Sequence, residues 1–394
     1  MNMAAKLDAV LCPALETRKE ECLYRNRRIV EGPQGPYINL DDRRVLAFCS
    51  NDYLGLAGNP VIAEAAREAL SIYGTGSGAA HLITGHTREH HALEEELAEF
   101  LQRPRALLFS TGYMANLGVA TALLKRGDAI YEDRLNHASL LDAGLLSGAR
   151  LQRYVHGDVA ALRRKISSAN GRGKLVMTDG VFSMDGDLSP LPEIAGLAAD
   201  NDAWLAVDDA HGIGVIGEQG RGSLEHFHLG AEEVPILIGT LGKAFGTFGA
   251  FVAGSDALIE TLIQQARTYI YTTAPPAAIA TATRAALRIV QDEPERRERL
   301  QELIKYFRSG ARQLDIELLE SKTPIQPLLV RDAMHAMRLS EALLRQDILV
   351  TAIRPPTVPV GTARLRITLS AAHEFSQIDR LLDVLSKVLP ASAA

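Results

Sequence analysis

The sequence of 394 residues predicts an α/β fold with a mostly parallel central sheet and a smaller C-terminal α+β domain. Between residues 106 and 253, short apolar runs without polar alternation are separated by stretches of helical periodicity, a pattern typical of buried parallel strands joined by helices. Several of these runs end at polar side chains, and open α/β sheets bind ligands at the carboxyl ends of their strands. The hydrophobic fraction of 47% is sufficient for a large core.

Three parts are expected along the chain. Residues 1–50 should form an N-terminal arm and a small hairpin, because a charged helical pattern over 7–28 precedes a turn cluster, Gly32–Pro36, and two short apolar runs. Residues 51–290 carry the strand-and-helix alternation and should form the large domain. Residues 291–394 should form the small domain, entered through the charge-dense stretch 292–308.

The individual elements follow from the periodicity of the apolar residues. In the large domain we expect strands at 106–109, 129–131, 151–155, 174–178, 204–207, 236–240 and 249–253. Helices are expected at 63–71, around 93–101, from 112 to 124, after 137, and at 159–168, 191–200, 257–267 and 277–289. In the small domain we expect strands at 325–330, 348–353 and 365–368, with helices at 334–345 and 378–388.

The overall composition excludes several classes of function. The 42 Lys and Arg residues are balanced by 48 Asp and Glu residues, and the net charge of −6 is scattered, so neither nucleic acid nor an anionic membrane surface is an expected partner. Three cysteines, Cys12, Cys22 and Cys49, have neither metal-ligand spacing nor a disulfide framework, and we expect no metal site. Without a signal peptide or a long apolar segment, the protein should be cytoplasmic.

Two apolar runs end in reactive residues. The run beginning at Trp204 ends at Asp208, Asp209 and His211, and the run beginning at Ile236 ends near Lys243, between glycines and Phe245. Burial lowers the pKa of a lysine, and a neutral amine forms a Schiff base with an aldehyde. A carboxylate on a neighbouring strand could hold the protonated pyridine nitrogen of pyridoxal phosphate (PLP). In the simpler alternative, Lys243 lies on a surface loop and Asp208 caps a helix. Because both residues stand at the ends of buried strands, we favour a catalytic role for them.

Two segments could bind a phosphate. The glycine-rich loop 74–80 precedes a helix and is a possible dinucleotide-binding loop, but helical residues, rather than a strand, come before it. We therefore expect its glycines to permit close backbone packing near the active site or a subunit boundary. The turn after the strand at 106–109 is the better candidate, because the backbone N–H groups of Gly112 and Tyr113 would begin a helix. An ordinary β-to-α turn remains an equal alternative from these residues alone.

The segments Val207–Gly212 and Gly239–Lys243 resemble the α-oxoamine synthase family of PLP enzymes, and the resemblance extends over nearly the whole chain. It implies the PLP-dependent aminotransferase-like fold (fold type I), with residues 51–290 as the PLP-binding domain. It also implies an acyltransferase that joins an amino acid to an acyl thioester with loss of CO2. Active sites at the interface of a homodimer are part of the same expectation.

The resemblance and the strand-end positions together give a set of expected site residues. Lys243 should form the Schiff base and transfer the α-proton, Asp208 should hold the ring nitrogen, and His137 should stack on the ring, contact substrate and assist catalysis. His211 could reach the phenolic oxygen. The remaining cofactor contacts are Gly112, Tyr113, Ser183 and Thr240, together with Thr272 and Thr273 from the other subunit.

Arginines are the expected ligands of the substrate. Arg364 and Arg366 point to the same face of a predicted strand, and an arginine fork suits a carboxylate, although a solvated strand face is the simpler alternative. By resemblance Arg366 binds the amino acid carboxylate, and Thr357 and Arg25 contact substrate.

The segments 351–359 and 179–187 most resemble family members that condense L-alanine with a pimeloyl thioester, of coenzyme A or acyl carrier protein, in biotin biosynthesis. Sister enzymes that use glycine, of the 2-amino-3-ketobutyrate CoA ligase or 5-aminolevulinate synthase type, are the nearest alternative. A plain aminotransferase and a catalytically silent binding protein are more distant ones. The chain departs from the usual family pattern at Thr111, Tyr113, Ala79, Ala80 and Cys49. These departures bear on the details of substrate binding rather than on the identity of the cofactor.

Overall fold

The computed structural model describes residues 2–21, 23–167 and 173–389, so Cys22 and the last residue of the helix expected over 159–168 lie outside the described residues. The N-terminal part consists of a helix and three short strands: α1 (Met3–Glu20), β1 (Val30–Glu31), β2 (Tyr37–Leu40) and β3 (Arg43–Ala47). β2 and β3 pair antiparallel, which confirms the predicted hairpin.

The arm differs from its prediction. α1 buries none of its side chains and ends at Glu20, so the helix expected as far as residue 28 is too long. Residues 23–29 have no regular secondary structure and contact the C-terminal part, where Arg354 Nη2 donates to the carbonyl of Tyr24 at 2.9 Å. A charged pattern without an apolar face does not by itself specify where a helix ends.

Seven strands form the central sheet, in the order β4-β10-β9-β8-β7-β5-β6. They are β4 (Arg105–Phe109), β5 (Ala129–Asp133), β6 (Arg150–Tyr154), β7 (Lys174–Asp179), β8 (Trp204–Asp208), β9 (Ile236–Thr240) and β10 (Ala250–Gly254). The neighbours from β6 to β9 run parallel, whereas β10 is antiparallel to both β9 and β4. The mostly parallel sheet is therefore confirmed.

Helices flank this sheet and continue into the C-terminal part. They are α2 (Pro60–Tyr73), α3 (Arg88–Phe100), α4 (Gly112–Leu123), α5 (Ala138–Leu146), α6 (Val159–Ile166), α7 (Leu191–Ala199), α8 (Ser223–His226), α9 (Asp256–Gln265), α10 (Arg267–Ile270), α11 (Ala277–Asp292), α12 (Glu295–Gln313), α13 (Ala333–Arg345) and α14 (Phe375–Val388). A single π-helical turn, His81–Gly85, precedes α3. No helix among the described residues is long and apolar enough to cross a membrane.

The C-terminal part contains β11 (Ile325–Arg331), β12 (Ile348–Leu349), β13 (Thr351–Ile353) and β14 (Ala363–Thr368). β11, β14 and β13 form an antiparallel sheet, while β12 pairs parallel with β3 of the N-terminal hairpin. The single strand expected over 348–353 is thus two strands in two sheets. The charged stretch 292–308 is mostly helical, because α12 buries Leu300, Leu303 and Phe307 and exposes its charged face.

The glycine-rich loop does not pack as expected. A Cβ atom added to Gly74, Gly76 or Gly78 would meet no atom within 4 Å. Gly74 and Gly78 instead have positive φ angles of 74° and 70°, a conformation that glycine adopts without strain. Within the single chain the expected close packing is not found at these three glycines, whereas packing at a subunit boundary stays a prediction. Backbone conformation accounts for Gly74 and Gly78.

Candidate functional site

Asp208 lies at the tip of β8, where the apolar strand Trp204–Asp208 stops. Its side chain is buried, and β8 pairs in parallel with β9, the strand that leads to Lys243. Asn116 Nδ2 donates to Asp208 Oδ2 at 2.7 Å, and the backbone N–H of Ala210 donates to Oδ1 at 3.1 Å. Both carboxylate oxygens therefore accept a hydrogen bond that fixes their orientation.

Lys243 follows β9 and is half-buried. Burial lowers the pKa of its ammonium to about 8, although the carboxylates of Asp208 and Asp179 act in the opposite direction. The positive charge of Arg366 adds to the lowering. An amine with this pKa is partly neutral near pH 7, as a nucleophile toward an aldehyde must be.

Asp179, at the tip of β7, is a second buried carboxyl group in this cluster. Burial raises its pKa, and the negative charge of Asp208 raises it further. The backbone N–H of His137 donates to Asp179 Oδ2 at 2.7 Å, so this carboxyl group holds the beginning of α5 in place.

His137 precedes α5 and caps it. The backbone N–H of Ser139 donates to His137 Nδ1 at 3.2 Å, so Nδ1 is an acceptor and the neutral ring carries its proton on Nε2. His137 is exposed as a residue, yet the surrounding protein removes enough water from its imidazole to lower the pKa of the ring. Asn116 Nδ2 also donates to Ser139 Oγ at 2.8 Å, which connects His137 to Asp208 through two side chains.

His211 is buried below the same strand tip. Its Nδ1 lies 2.7 Å from Tyr53 Oη, and Arg366 Nη2 approaches Asn51 Oδ1, a partner of the same tyrosine, at 3.1 Å. Burial lowers the pKa of His211 well below its ordinary value, and the positive charges of Lys243 and Arg366 lower it further. The imidazole is therefore neutral.

The turn into α4 has the properties of a small anion site. Thr111 Oγ1 accepts the Met114 N–H at 3.2 Å, and the first-turn N–H groups of Gly112 and Tyr113 have no partner within the helix. A Cβ atom on Gly112 would lie 2.8 Å from Thr240 Cγ2, so only glycine leaves space between this turn and β9. Thr240 Oγ1 is buried and has no partner among the described residues. This space and the unpartnered donors fit the phosphate of PLP.

Two arginines of β14 are also brought to this region. Arg366 Nε donates to the carbonyl of Ser183 at 2.6 Å, and Arg364 forms an ion pair with Asp185 in the same loop. Their exposures are 6% and 3%, so the solvated strand face considered as an alternative is wrong, and the shared face is confirmed.

Four expected site residues lie apart from this cluster. Arg25 and Thr357 line a separate cavity of about 450 Å³ between the N-terminal arm and β13. Thr273 forms a bridge with Ala80, and neither it nor the adjacent Thr272 makes a described contact with Lys243. Within one chain, the predicted site residues therefore lie in three places: the cluster around Lys243, the cavity beside β13, and the segment 272–273.

Sequence reasoning missed the residues that orient the predicted ones, namely Asn116, Ser139, Tyr53 and Asn51. Asn116 could have been found, because it is the single Asn in a mostly apolar helix, Gly112–Leu123, and a polar residue on a buried face requires partners. The role of Tyr53 depends on a contact across 158 residues of sequence and had no local signal.

Comparisons with known proteins agree with this geometry. The sequence matches the aminotransferase class I and II family over residues 43–385. An 8-amino-7-oxononanoate synthase from Thioalkalivibrio sulfidiphilus is 65% identical over 379 residues, covering 96% of this chain and 97% of the relative. A serine palmitoyltransferase variant from S. paucimobilis with bound PLP superposes with a TM-score of 0.91 at 27% identity, covering 98% of each chain. An 8-amino-7-oxononanoate synthase from Francisella tularensis gives a TM-score of 0.77 at 35% identity, covering 87% of this chain and 97% of the other.

Proposed function

The chain belongs to the aminotransferase class I and II family, and from this premise we propose that it is a PLP-dependent acyltransferase of the 8-amino-7-oxononanoate synthase type. It condenses L-alanine with a pimeloyl thioester to give 8-amino-7-oxononanoate, CO2 and a free thiol in biotin biosynthesis. The observation that carries this proposal is the pairing of Lys243, with its lowered pKa, and the buried Asp208 at neighbouring strand tips. The curated relatives carry this enzyme's name, so the alternative reaction with glycine is not favoured.

The cofactor is PLP, which when bound supplies an electron-accepting ring that stabilises negative charge at the α-carbon of the amino acid. We assign the N–H groups of Gly112 and Tyr113 and the hydroxyl of Thr240 to its phosphate. The Thr240 hydroxyl supports this assignment, because burying a polar group without a partner is costly and a phosphate oxygen would accept its proton.

The residues around the ring position it and move protons. Asp208, oriented by Asn116, holds a proton at the ring nitrogen. His137 would cover one face of the ring, and the neutral imidazole of His211 would contact the phenolic oxygen, as the Ser183 hydroxyl would from the loop after β7. Lys243 Nζ, with a pKa of about 8, accepts the α-proton of alanine and later returns it, because a base works best with a pKa near the working pH.

Substrate binding is assigned to Arg366, Arg25 and Thr357. The guanidinium of Arg366 is already oriented by the Ser183 carbonyl and by Asn51, which leaves part of its fork for the alanine carboxylate. The cavity of about 450 Å³ that contains Arg25 and Thr357 is large enough for an acyl chain, and we assign the pimeloyl thioester to it.

A homodimer in the cytoplasm is part of the same proposal. Thr273 is exposed and Thr272 half-exposed, which would allow a partner subunit to receive their hydroxyls at its own phosphate site. The described cysteines, Cys12 and Cys49, are free thiols, as expected of a reducing compartment. We also retain the division into 1–50, 51–290 and 291–394 as a proposal.

Product analysis tests the function directly. The purified enzyme with PLP is incubated with L-alanine and either pimeloyl-CoA or pimeloyl-acyl carrier protein, and the products are measured by mass spectrometry together with released CO2. We expect 8-amino-7-oxononanoate with at least one carrier, little product when glycine replaces alanine, and none from the Lys243→Ala variant. Amino-group exchange with a keto acid and no CO2 release would instead indicate an aminotransferase, and the absence of both would indicate a silent binding protein.

A further inference from the structure

A group of histidines around the beginning of α3 is not used by the proposed reaction. The side-chain ligand atoms of His86, His91 and Glu94 all lie within 4.8 Å of one another. They line a cavity of about 250 Å³ whose wall includes Arg105 and Tyr269. The sequence predicted no metal site, since the cysteines lack suitable spacing, but two imidazoles and a carboxylate form a ligand set that binds divalent transition metals.

His90, although close by, is not available as a ligand. The backbone N–H of Thr87 donates to His90 Nδ1 at 3.0 Å, so His90 Nε2 carries the proton and donates to the carbonyl of Pro275 at 2.7 Å. Both ring nitrogens are therefore used to fix the turn before α3. This leaves His86 and His91 as the imidazole ligands.

His81 determines which nitrogen of His86 faces the cavity. His81 Nδ1 lies 2.9 Å from His86 Nδ1, and His81 is 8% exposed, with Nε2 unpartnered among the described residues. A neutral imidazole has one nitrogen that can accept a hydrogen bond, and in His81 the nitrogen that faces His86 is Nδ1. A metal ion on His86 Nε2 would leave the proton of His86 on Nδ1, where His81 accepts it. Ligating histidines usually donate their other N–H in this manner.

Glu94 faces His86 from the next turn of α3. Glu94 Oε2 lies 3.9 Å from His86 Nε2, and Oε1 accepts the Leu108 N–H at 2.9 Å. Burial raises the pKa of Glu94 to about 8, with Arg105 lowering it and Glu95 raising it. The buried phenol of Tyr269, whose own pKa is raised, completes the surrounding titratable groups.

We propose that His86, His91 and Glu94 bind one divalent transition-metal ion, such as Zn²⁺, with water completing the coordination. Bond lengths of about 2.0–2.2 Å place tetrahedral ligand atoms about 3.4 Å apart, so the three side chains need to close by roughly 1 Å. His91 can move, because its side chain is 65% exposed and its Nε2 lies only within 3.5 Å of the exposed Glu95.

The bound ion would fix the π-helical turn His81–Gly85 to α3. The residue before this turn, Ala80, pairs with Thr273, and His90 holds the carbonyl of Pro275. The role of the ion would therefore be structural rather than catalytic. Its ligands lie next to the segment 272–275 and are not part of the cluster around Lys243 and Asp208.

Titration of the PLP-loaded enzyme with Zn²⁺ tests this proposal without measuring activity. Isothermal titration at about pH 7 should give one ion per chain. His86→Gln and Glu94→Gln should each weaken binding at least tenfold, because each removes one of the three ligands. His226→Gln is the matched control, because it removes an exposed histidine on α8 and should bind as the unaltered enzyme does.

The variant His91→Gln separates loss of a ligand from misfolding. Its side chain is the most exposed of the three ligands, so the substitution should leave the fold intact. It should lose tight binding while keeping the circular dichroism spectrum and the absorbance of bound PLP. With Co²⁺ as a spectroscopic probe, the unaltered enzyme should develop visible bands that the His91 variant lacks. No stoichiometric binding by the unaltered enzyme, or equal binding by all the variants, would overturn the proposal.

Discussion

The lowered pKa of Lys243 can be tested through the pH dependence of the rate at which the enzyme binds PLP covalently. A pKa of about 8 lies about 2.5 pH units below the ordinary lysine value, which corresponds to about 3.4 kcal/mol against the charged form. At about pH 7 the neutral fraction is then about 9%, compared with roughly 0.03% for an ordinary lysine, a difference of about 300-fold. The rate at which the cofactor-free enzyme binds PLP covalently should therefore rise up to about pH 8 and then level off.

Stopped-flow absorbance of the cofactor-free enzyme with PLP, from about pH 6 to about pH 10, measures this profile. Nα-acetyl-lysine is the control, because it reports the titration of PLP itself together with that of an ordinary amine. In Asp208→Asn, which removes the largest charge that raises the Lys243 pKa, the bend should move below about pH 8. A rate that follows the acetyl-lysine profile, without a bend near pH 8, would refute the reasoning from burial.

Two other variants test contacts that sequence alone did not identify. Asn116→Ala removes a hydrogen bond to the Asp208 carboxylate, worth about 1.5–3 kcal/mol, and should lower the rate of alanine-dependent CO2 release by roughly tenfold to a hundredfold while PLP remains bound; an unchanged rate would contradict the orienting role of Asn116. Gly112→Ala places a methyl group 2.8 Å from Thr240 Cγ2 and should weaken PLP binding at least tenfold, as measured by fluorescence titration. Gly196→Ala, where a Cβ meets nothing within 4 Å, is its control, and equal PLP affinity in the two variants would count against the phosphate assignment.

The parts of the fold that were predictable are those with a local signal. The strands ending at Asp208 and Thr240 are continuous apolar runs, and their positions in the sheet agree with the expectation. Where the pattern was less specific, the prediction failed: the apolar run 348–353 did not reveal that Val350 separates two strands with different partners. Nothing in that run itself encodes the partner, because the pairing of β12 is decided by the distant hairpin.

The same distinction applies to the site. Lys243 and Asp208 stand at the ends of consecutive strands and could be identified from order alone. The groups that orient them, such as Asn116 and Tyr53, depend on side chains meeting across the sheet, which periodicity does not describe. The histidine cluster was missed for a related reason. The spacing between His81 and His86 is neither that of an α-helix nor that of a strand, and the two side chains meet because a π-helical turn lies between them.

The parallel pairing of β3 with β12 has a consequence for synthesis of the protein. Arg43 and its partner Leu344 are 301 residues apart, and Leu46 donates to the carbonyl of Asp347 at 2.8 Å. At a translation rate of about 5–20 residues per second, the hairpin leaves the ribosome roughly 15–60 s before the strand that completes its sheet. Throughout that interval the nascent chain presents an open strand edge to its surroundings, and such an edge can pair with a strand of another chain.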